Sequence, residues 1–464
     1  MFFDLRLGYP PEKGAVPKVS STKKRIFIQN LGCKVNLADA AMLVESFPDE
    51  QVRVVDREEQ ADVVVLNTCA VTHKAERDVR RVVGGLRRLY PDLPVIVMGC
   101  AVVTIGETLR ALPNVRALVS PGQVLAALQA IDQIQVDRSV LGQAVSVGLS
   151  PGEAPSVIHP ESAHRKLGRQ RACLKVQDGC NAHCAYCIIP RTRGAEHSLE
   201  ISQVVEKVSK IIQLGHREVV LTGIHLGRYG AGLQPRSSLA RLLLSLAPLF
   251  ASLGPGFRIR LSSIEPLEWT GELIAAIESS AFVCRHFHVP IQSGCDEVLS
   301  RMRRPYRISQ AEEVLGEIRA RFPGAALGTD ILVGFPGETD AHADETQASV
   351  ERLPFDYLHV FTFSSRPGTP AHGFPDPVDE ARIRERSVRV RSVGKVRWRR
   401  FLEYGVGRRH QLLLEKTSPL RAMGHTAEYR VCLVEGRGLV RGEVISVVAS
   451  GRKDNALIAA KASA

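Results

Sequence analysis

The chain has 464 residues, of which 44% are hydrophobic and 24% charged. That is longer than one hydrophobic core organises, so two or three domains are expected, and the composition excludes wholesale disorder and fibrous repeats. The formal net charge of +12 suits a polyanionic partner without identifying one.

Residues 1–23 read as an N-terminal extension. Asp4 and Arg6 come early and prolines follow, without the charged-then-apolar order of a secretory signal. The most apolar later stretch, Leu242–Leu253, is too short to span a bilayer. A cytosolic chain without membrane association is expected. In that reducing compartment, clustered members of its ten cysteines should be metal ligands or catalytic groups, not disulfides.

Residues 24–144 contain three β-branched runs that end alike: RIFIQNLGC at Cys33, ADVVVLNTC at Cys69 and LPVIVMGC at Cys100. Helix-like patterns follow, namely LADAAMLVESF, KAERDVRRVVGGLRRL and later QVLAALQAI. Strand alternating with helix predicts an open α/β domain with a parallel sheet, whose ligands sit beyond the carboxyl ends of the strands. One cysteine there would be a buried apolar residue. Three at equivalent positions point to a convergent three-thiolate site.

Residues 145–170 are rich in Pro, Gly, Ser and His and read as a linker. Residues 171–403 hold a second α/β series. Its six strand candidates are ACLKVQ, EVVLTG, FRIRLSS, CRHFHVPIQSG, LGTDILVGFPGE and YLHVFTFSS. They recur at about one βαβ unit, which fits a six-stranded partial barrel, (βα)6, better than another flat sheet. The end of this region, from Arg382 to Arg409, is rich in Arg and Lys, a composition that favours nucleic acid because Arg reads phosphate and stacks on bases. Residues 404–464 change texture to short strands between glycine turns (QLLLEK, TAEYRVCLVE, GEVISVVAS), a small antiparallel β-barrel of a kind that binds RNA or merely packs.

The strongest local signal is QDGCNAHCAYCIIPRTRG, in which Cys180, Cys184 and Cys187 form a CxxxCxxC set just after a predicted strand. Three thiolates on a [4Fe–4S] cluster leave one iron open to a cofactor. Structural zinc wants four closed ligands, and His183 inside the loop is the available candidate for that alternative. Tyr186 offers an aromatic wall for an adenine, or simple packing. Cys173, Cys284, Cys295 and Cys432 are assigned to packing.

The CxxxCxxC loop resembles that of the radical S-adenosylmethionine superfamily, in which the open iron chelates the amino and carboxylate groups of S-adenosyl-L-methionine. Together with LGCKVN, NTCAVT, Gly99–Cys100, LTGIHLGRYG, RLSSIEP, PIQSGCDEVLSRMRRPY, DILVGFPGET and FSSRPGTPA, the chain resembles the methylthiotransferases, and its last region their TRAM domain. LGCKVN and LTGIHLG are most similar to the MtaB type, which modifies N6-threonylcarbamoyladenosine at tRNA position 37.

This resemblance implies addition of a methylthio group to C2 of that base. It implies two [4Fe–4S] clusters, the second held by Cys33, Cys69 and Cys100 and presenting the sulfur. It also implies tRNA as partner and an electron donor such as flavodoxin or ferredoxin. By position in the superfamily's motifs, Thr222 and Gly223 would meet the cofactor's amino group. Ser263, Glu265, Gln292 and Ser293 would lie near its ribose, and Gly334, Gly337 and Glu338 near its adenine. The rival readings are a substrate change, to isopentenyladenosine in tRNA or a ribosomal-protein aspartate, and a non-enzymatic iron–sulfur redox sensor that binds nucleic acid.

Overall fold

The computed structural model describes residues 23–47, 52–134, 145–146 and 163–462; most of the expected N-terminal extension and the middle of the expected linker lie outside them. The first domain is a parallel sheet. Its strands are β1 (Lys24–Asn30), β2 (Val52–Val55), β3 (Val63–Thr68), β4 (Val95–Gly99), β5 (Val115–Val119) and β6 (Val145–Ser146), in spatial order β2-β1-β3-β4-β5-β6. Helices α1 (Lys34–Glu45) and α4 (Val124–Gln133) cover one face over Ile26, Ile96 and Met98. Helices α2 (His73–Leu89) and α3 (Cys100–Arg110) cover the other over Val64, Leu66 and Val97. Both faces are therefore dry, and β3 and β4 are buried at every residue, which is why they read as unbroken apolar runs. The stretch expected as a linker contributes β6 to the sheet edge and a short helix, α5 (Ala163–Lys166).

The second domain is the expected half-barrel. Strands β7 (Arg171–Lys175), β10 (Glu218–Thr222) and β11 (Arg258–Leu261) form one parallel arc, with the small pair β8 (Gln177–Asp178) and β9 (His197–Ser198) inserted after β7. Strands β12 (His286–His288), β13 (Ala326–Val333) and β14 (Tyr357–Thr362) form a second arc, joined to the first by a parallel bridge from Ile259 to Val283. Helices α6 (Ile189–Arg193), α7 (Ile201–Gln213), α8 (Leu239–Leu253), α9 (Gly271–Ser279), α10 (Asp296–Arg301), α11 (Ile308–Arg321) and α12 (Asp340–Arg352) alternate with the strands. Together the six main strands match the six candidates. The open side of the half-barrel faces α1, where Leu37 and Ala38 pack on Cys173 and Val220.

A 26-residue helix, α13 (Glu380–Gly405), then leads to a closed barrel of β15 (Arg409–Ser418), β16 (Arg421–Thr426), β17 (Val431–Glu435), β18 (Val444–Lys453) and β19 (Ala456–Lys461). Much of the basic stretch is thus a helix whose charge is matched by acids. Arg382 and Arg386 pair with Asp340, Arg389 with Asp344, and Arg384 and Arg399 with acids one turn away. Its composition reflects helix packing as much as any polyanion. No described helix is long and apolar enough to cross a membrane.

The small barrel plugs the amino-terminal end of the half-barrel through a buried charge cluster. Glu218, at the start of β10, accepts from Arg258 at 2.6 Å and Arg260 at 2.7 Å. Those arginines donate onward to backbone carbonyls of Gln411, His425, Thr426 and Ala427 in the barrel, and Arg171 pairs with Glu415 at 2.6 Å. Burial alone would raise the Glu218 carboxyl, but the two arginines outweigh it and hold it far below the usual carboxylate range. Removing one partner of such a buried set leaves uncompensated charge. Glu218→Ala is therefore expected to cost about 3–5 kcal/mol, measured as a fall in the urea midpoint of the full chain; an unchanged midpoint would contradict this account of the docking.

Candidate metal centres

Register places the first set of thiols. Asn30 of β1 pairs with Asn67 of β3, and Thr68 with Gly99 of β4, so the three strands end together. Cys69 and Cys100 each stand one residue beyond a paired position, while Cys33 caps α1. Gly99 has φ +100°, and a Cβ there would lie 2.5 Å from the Thr68 carbonyl oxygen. Only glycine lets β4 turn into α3 so close to its neighbour. Asn36 and Asn67, both buried, lock the loops: Asn36 Nδ2 donates to Asn67 Oδ1 at 2.9 Å and to the Thr68 carbonyl at 3.1 Å, and Asn67 Nδ2 donates to the Asn36 carbonyl at 2.5 Å.

The second set lies in the loop between β8 and α6. The loop is anchored by Cys180 N–H to the Gly194 carbonyl at 3.0 Å, Cys187 N–H to the Cys184 carbonyl at 3.0 Å and Ala185 N–H to the Met302 carbonyl at 2.9 Å. Two cationic side chains reach its sulfurs. His225 Nδ1 is 3.4 Å from Cys180 Sγ and Arg304 donates to Cys184 Sγ at 3.2 Å, with Glu268 and Glu265 paired behind them. Burial lowers the His225 imidazole, yet its bonds to Cys180 and Glu268 prevail and hold it at about 9. Tyr186 packs beside Phe335, Met302 and Cys295.

The chemistry of both sets fits a multinuclear iron–sulfur group. Burial pushes the Cys69 and Cys187 thiols up to about 12, with the neighbouring cysteines of each set adding to the effect; such thiols ionise readily only beside added positive charge. Among the described residues, neither set brings its three sulfurs within 4.8 Å of one another. A single tetrahedral zinc with Zn–S bonds of about 2.3 Å needs sulfurs roughly 3.8 Å apart, whereas a cube of four irons has a wider frame. His183 is exposed and joins no such group.

Between the two sets lies a network of four buried charges. Lys175 pairs with Asp39 at 2.5 Å and Asp178 at 2.7 Å. Arg193 pairs with the same two carboxylates at 3.0 Å each. Asp39 belongs to α1, six residues beyond Cys33, and Asp178 precedes Cys180 by two residues. Burial raises the Cys100 thiol, and the positive charge of Arg193 works against that rise. One guanidinium thus ties the loop of one cysteine set to a ligand of the other.

Apart from Tyr186 in the CxxxCxxC loop, the residues expected near the cofactor lie at the carboxyl ends of β10 to β13, but not all as free groups. Thr222 is buried and Gly223 sits against Gln177, whose side chain joins His225 N–H (2.8 Å) to the Gly179 carbonyl (2.9 Å). Ser263 is exposed and Gln292 has φ +64°. The Glu265 carboxylate is held by Arg304. The Ser293 hydroxyl is buried against Thr346 and the Cys295 N–H, and the Glu338 carboxylate accepts from Gly334 N–H at 2.7 Å and pairs with Arg386 at 3.0 Å. Gly334 and Gly337 are glycine because a Cβ would strike Ile383 and Arg301, so their conformation answers to packing. Cys173, Cys284, Cys295 and Cys432 are buried, Cys295 in the same apolar cluster as Ala185 and Tyr186 of the CxxxCxxC loop. Composition and spacing did not single out Asn36, Asn67, Asp39, Lys175, Asp178, Arg193, His225 or Arg304; several lie inside the quoted motifs, but nothing in a string says which polar residues will meet.

Comparisons with known proteins agree with this arrangement. Residues 25–120 match the profile of the uncharacterized protein family UPF0004, and residues 174–350 that of the radical SAM superfamily. The chain is 35% identical over 365 residues to the threonylcarbamoyladenosine tRNA methylthiotransferase MtaB of Bacillus subtilis, covering 79% of each protein. It is 32% identical over 394 residues to the MtaB of Thermotoga maritima, covering 84% of this chain and 87% of that one. It is also 32% identical over 437 residues to the tRNA-2-methylthio-N(6)-dimethylallyladenosine synthase of Moorella thermoacetica, covering 92% and 95%. A solved structure of the radical S-adenosylmethionine methyltransferase TsrM from Kitasatospora setae, with tryptophan and a cofactor analogue bound, shares the fold at TM-score 0.53 and 16% identity over 75% of each chain. With two cysteine sets in two joined domains and relatives this similar over nearly their whole length, the chain belongs to the radical S-adenosylmethionine methylthiotransferase family.

Proposed function

We propose that this enzyme adds a methylthio group to C2 of N6-threonylcarbamoyladenosine at position 37 of tRNA. The observation that carries the reading is the pair of three-cysteine sets held on facing domains by one buried charge network. Such an arrangement suits two clusters that serve one substrate. When bound, two [4Fe–4S] clusters and S-adenosyl-L-methionine supply the radical that breaks an unactivated C–H bond and the sulfur that replaces the hydrogen.

The chain's own residues bind, orient and exclude water. Cys180, Cys184 and Cys187 would hold the radical cluster, and His225 and Arg304, within hydrogen-bond reach of two of their sulfurs, would favour its more negative state. Cys33, Cys69 and Cys100 would hold the second, on loops fixed by Asn36 and Asn67. Tyr186, Thr222, Gly223, Ser263, Gln292 and the backbone at Gly334 and Gly337 form the rim left for S-adenosyl-L-methionine. Helix α1 closes the open side of the half-barrel over this rim. The small barrel beyond α13, with Arg408 and Arg409 in no ion pair among the described residues, is the surface for tRNA phosphates. Electrons come from a flavodoxin- or ferredoxin-like donor. The Moorella relative keeps dimethylallyladenosine as a second reading.

Two measurements test this. Mass spectrometry of tRNA nucleosides from cells with and without the protein is expected to show 2-methylthio-N6-threonylcarbamoyladenosine only where it is present; identical nucleosides would contradict the assignment. A Cys33→Ala/Cys69→Ala/Cys100→Ala variant is expected to bind about half the iron of the parent, one cube instead of two. It should still form 5′-deoxyadenosine under reduction, more slowly, and make no methylthio product. Unchanged iron with the product intact would mean that the first domain holds no cluster.

A further inference from the structure

Inside the half-barrel, alternate residues of β14 face the lumen. Leu358 packs outward near Gly394 of α13, so Tyr357, His359 and Phe361 point inward, beside Gly328, Asp330 and Leu332 of β13. Gly328 is glycine because the Tyr357 ring crosses it; a Cβ would lie 1.8 Å from that ring. The crossing ring reaches two histidines of β12. Its hydroxyl is 2.8 Å from His286 Nε2 and 3.1 Å from His288 Nδ1. His288 Nε2 is 2.9 Å from Asp330 Oδ1, and His359 Nδ1 is 3.2 Å from the same oxygen.

These distances fit the following proton arrangement. His286 Nε2–H donates to the Tyr357 oxygen, and Tyr357 O–H donates to His288 Nδ1. His288 Nε2–H and His359 Nδ1–H both donate to Asp330 Oδ1. The lumen then meets two acceptors, Asp330 Oδ2 and His359 Nε2, on side chains 23% and 43% exposed. Next to them stands the Phe361 ring, 37% exposed. Opposite, Lys34 begins α1 one turn before Leu37 and Ala38, which face the lumen at Cys173 and Val220. Lys34 makes no ion pair among the described residues, and its charge is felt by Cys173 and His286.

This wall lies below the rim that joins the two cysteine sets. Strand β14 runs into Ser364, whose hydroxyl accepts from His73 N–H at 3.0 Å, four residues after Cys69. Strand β13 runs into the turn whose Phe335 packs with Tyr186, between Cys184 and Cys187.

We propose that Asp330 and His359, with Lys34 across the lumen, form the specificity site that reads a polar, amino-acid-bearing substituent on the target adenine. The inference rests on the methylthiotransferase reading and deepens it. A threonylcarbamoyl group carries N–H and O–H donors for the two acceptors and a carboxylate for the lysine. A dimethylallyl group carries none of these and, once the bound base shuts water out, would leave both acceptors unpaired, the situation in which a polar site discriminates strongly. Phe361 offers a face for the base itself. His288, behind Asp330, is a positioning residue.

The test compares reconstituted full-length protein on tRNA bearing threonylcarbamoyladenosine and on tRNA bearing dimethylallyladenosine, with the ratio of the two methylthiolation rates as readout. The parent is expected to favour the first by about 100-fold, roughly tenfold for each unpaired acceptor. His359→Leu should lower that ratio about tenfold through loss on the first substrate alone. Lys34→Met, which removes no buried contact, should lower it independently and serves if His359→Leu fails to fold. A ratio unchanged in both variants overturns the proposal, as does a parent that prefers the dimethylallyl substrate. Stoichiometric zinc lost on His359→Leu also overturns it, since the His288–Asp330–His359 group would then be a metal site. A parent that methylthiolates neither tRNA would overturn the functional reading instead.

Discussion

Everything at the centre of this molecule depends on four charges that are kept from water together. Asp39, Lys175, Asp178 and Arg193 form a balanced set, two carboxylates and two cations, in which each charge has two opposite partners. A buried pair contributes little net stability relative to apolar packing, but a broken one is costly. The network therefore acts less as glue than as a constraint on register between α1 and the loop that carries Cys180. Shift α1 along its axis by one turn and Asp39 leaves both cations. The position of the first domain against the half-barrel, and so of one cysteine set against the other, is specified by this penalty.

The same logic recurs at the opposite end of the half-barrel. There Glu218 holds Arg258 and Arg260, and those arginines donate to carbonyls of the small barrel. Tyr429 adds its ring between Arg260 and His286. The lumen is thus closed below by a barrel and beside by α1, both through arginines that could not be left unpaired. The two cysteine sets stand at the upper rim of this lumen, and Asp330 and His359 on its inner wall. Each exclusion of water strengthens the electrostatic interactions inside.

Legibility in the sequence follows physical range. The strands ending at Cys33, Cys69 and Cys100, and the six strands of the half-barrel, were legible because a strand buried on both faces needs a continuous apolar run and a local turn residue to stop it. The CxxxCxxC loop was legible because its ligands are close in sequence. Strands β2, β6, β8 and β9 were not legible because each has four residues or fewer; β5 lies near the sheet edge, β16 (RAMGHT) mixes polar residues and glycine, and β19 (ALIAAK) reads as well as a helix. The charge network was invisible for another reason. Asp39 and Arg193 are 154 positions apart, and neither residue differs in type from a solvated surface charge. The arginines of α13 gave the opposite error. Read as a basic patch, many of them pair with acids of α12 or of their own helix, pairings that a linear count of charge cannot show. Ser293 and Glu338 illustrate a third limit, since a motif position gives a residue's neighbourhood but not its hydrogen-bond partners, here Thr346 and Arg386.

The central claim is that two separate cysteine sets hold two clusters on either side of Arg193. The most direct measurement is the iron anomalous density of crystals of the anaerobically reconstituted protein. The account predicts two resolved iron sites, one at Cys33, Cys69 and Cys100 and the other at Cys180, Cys184 and Cys187, with the Arg193 guanidinium between them. Iron at the second set alone, in protein saturated with iron and sulfide, would contradict it.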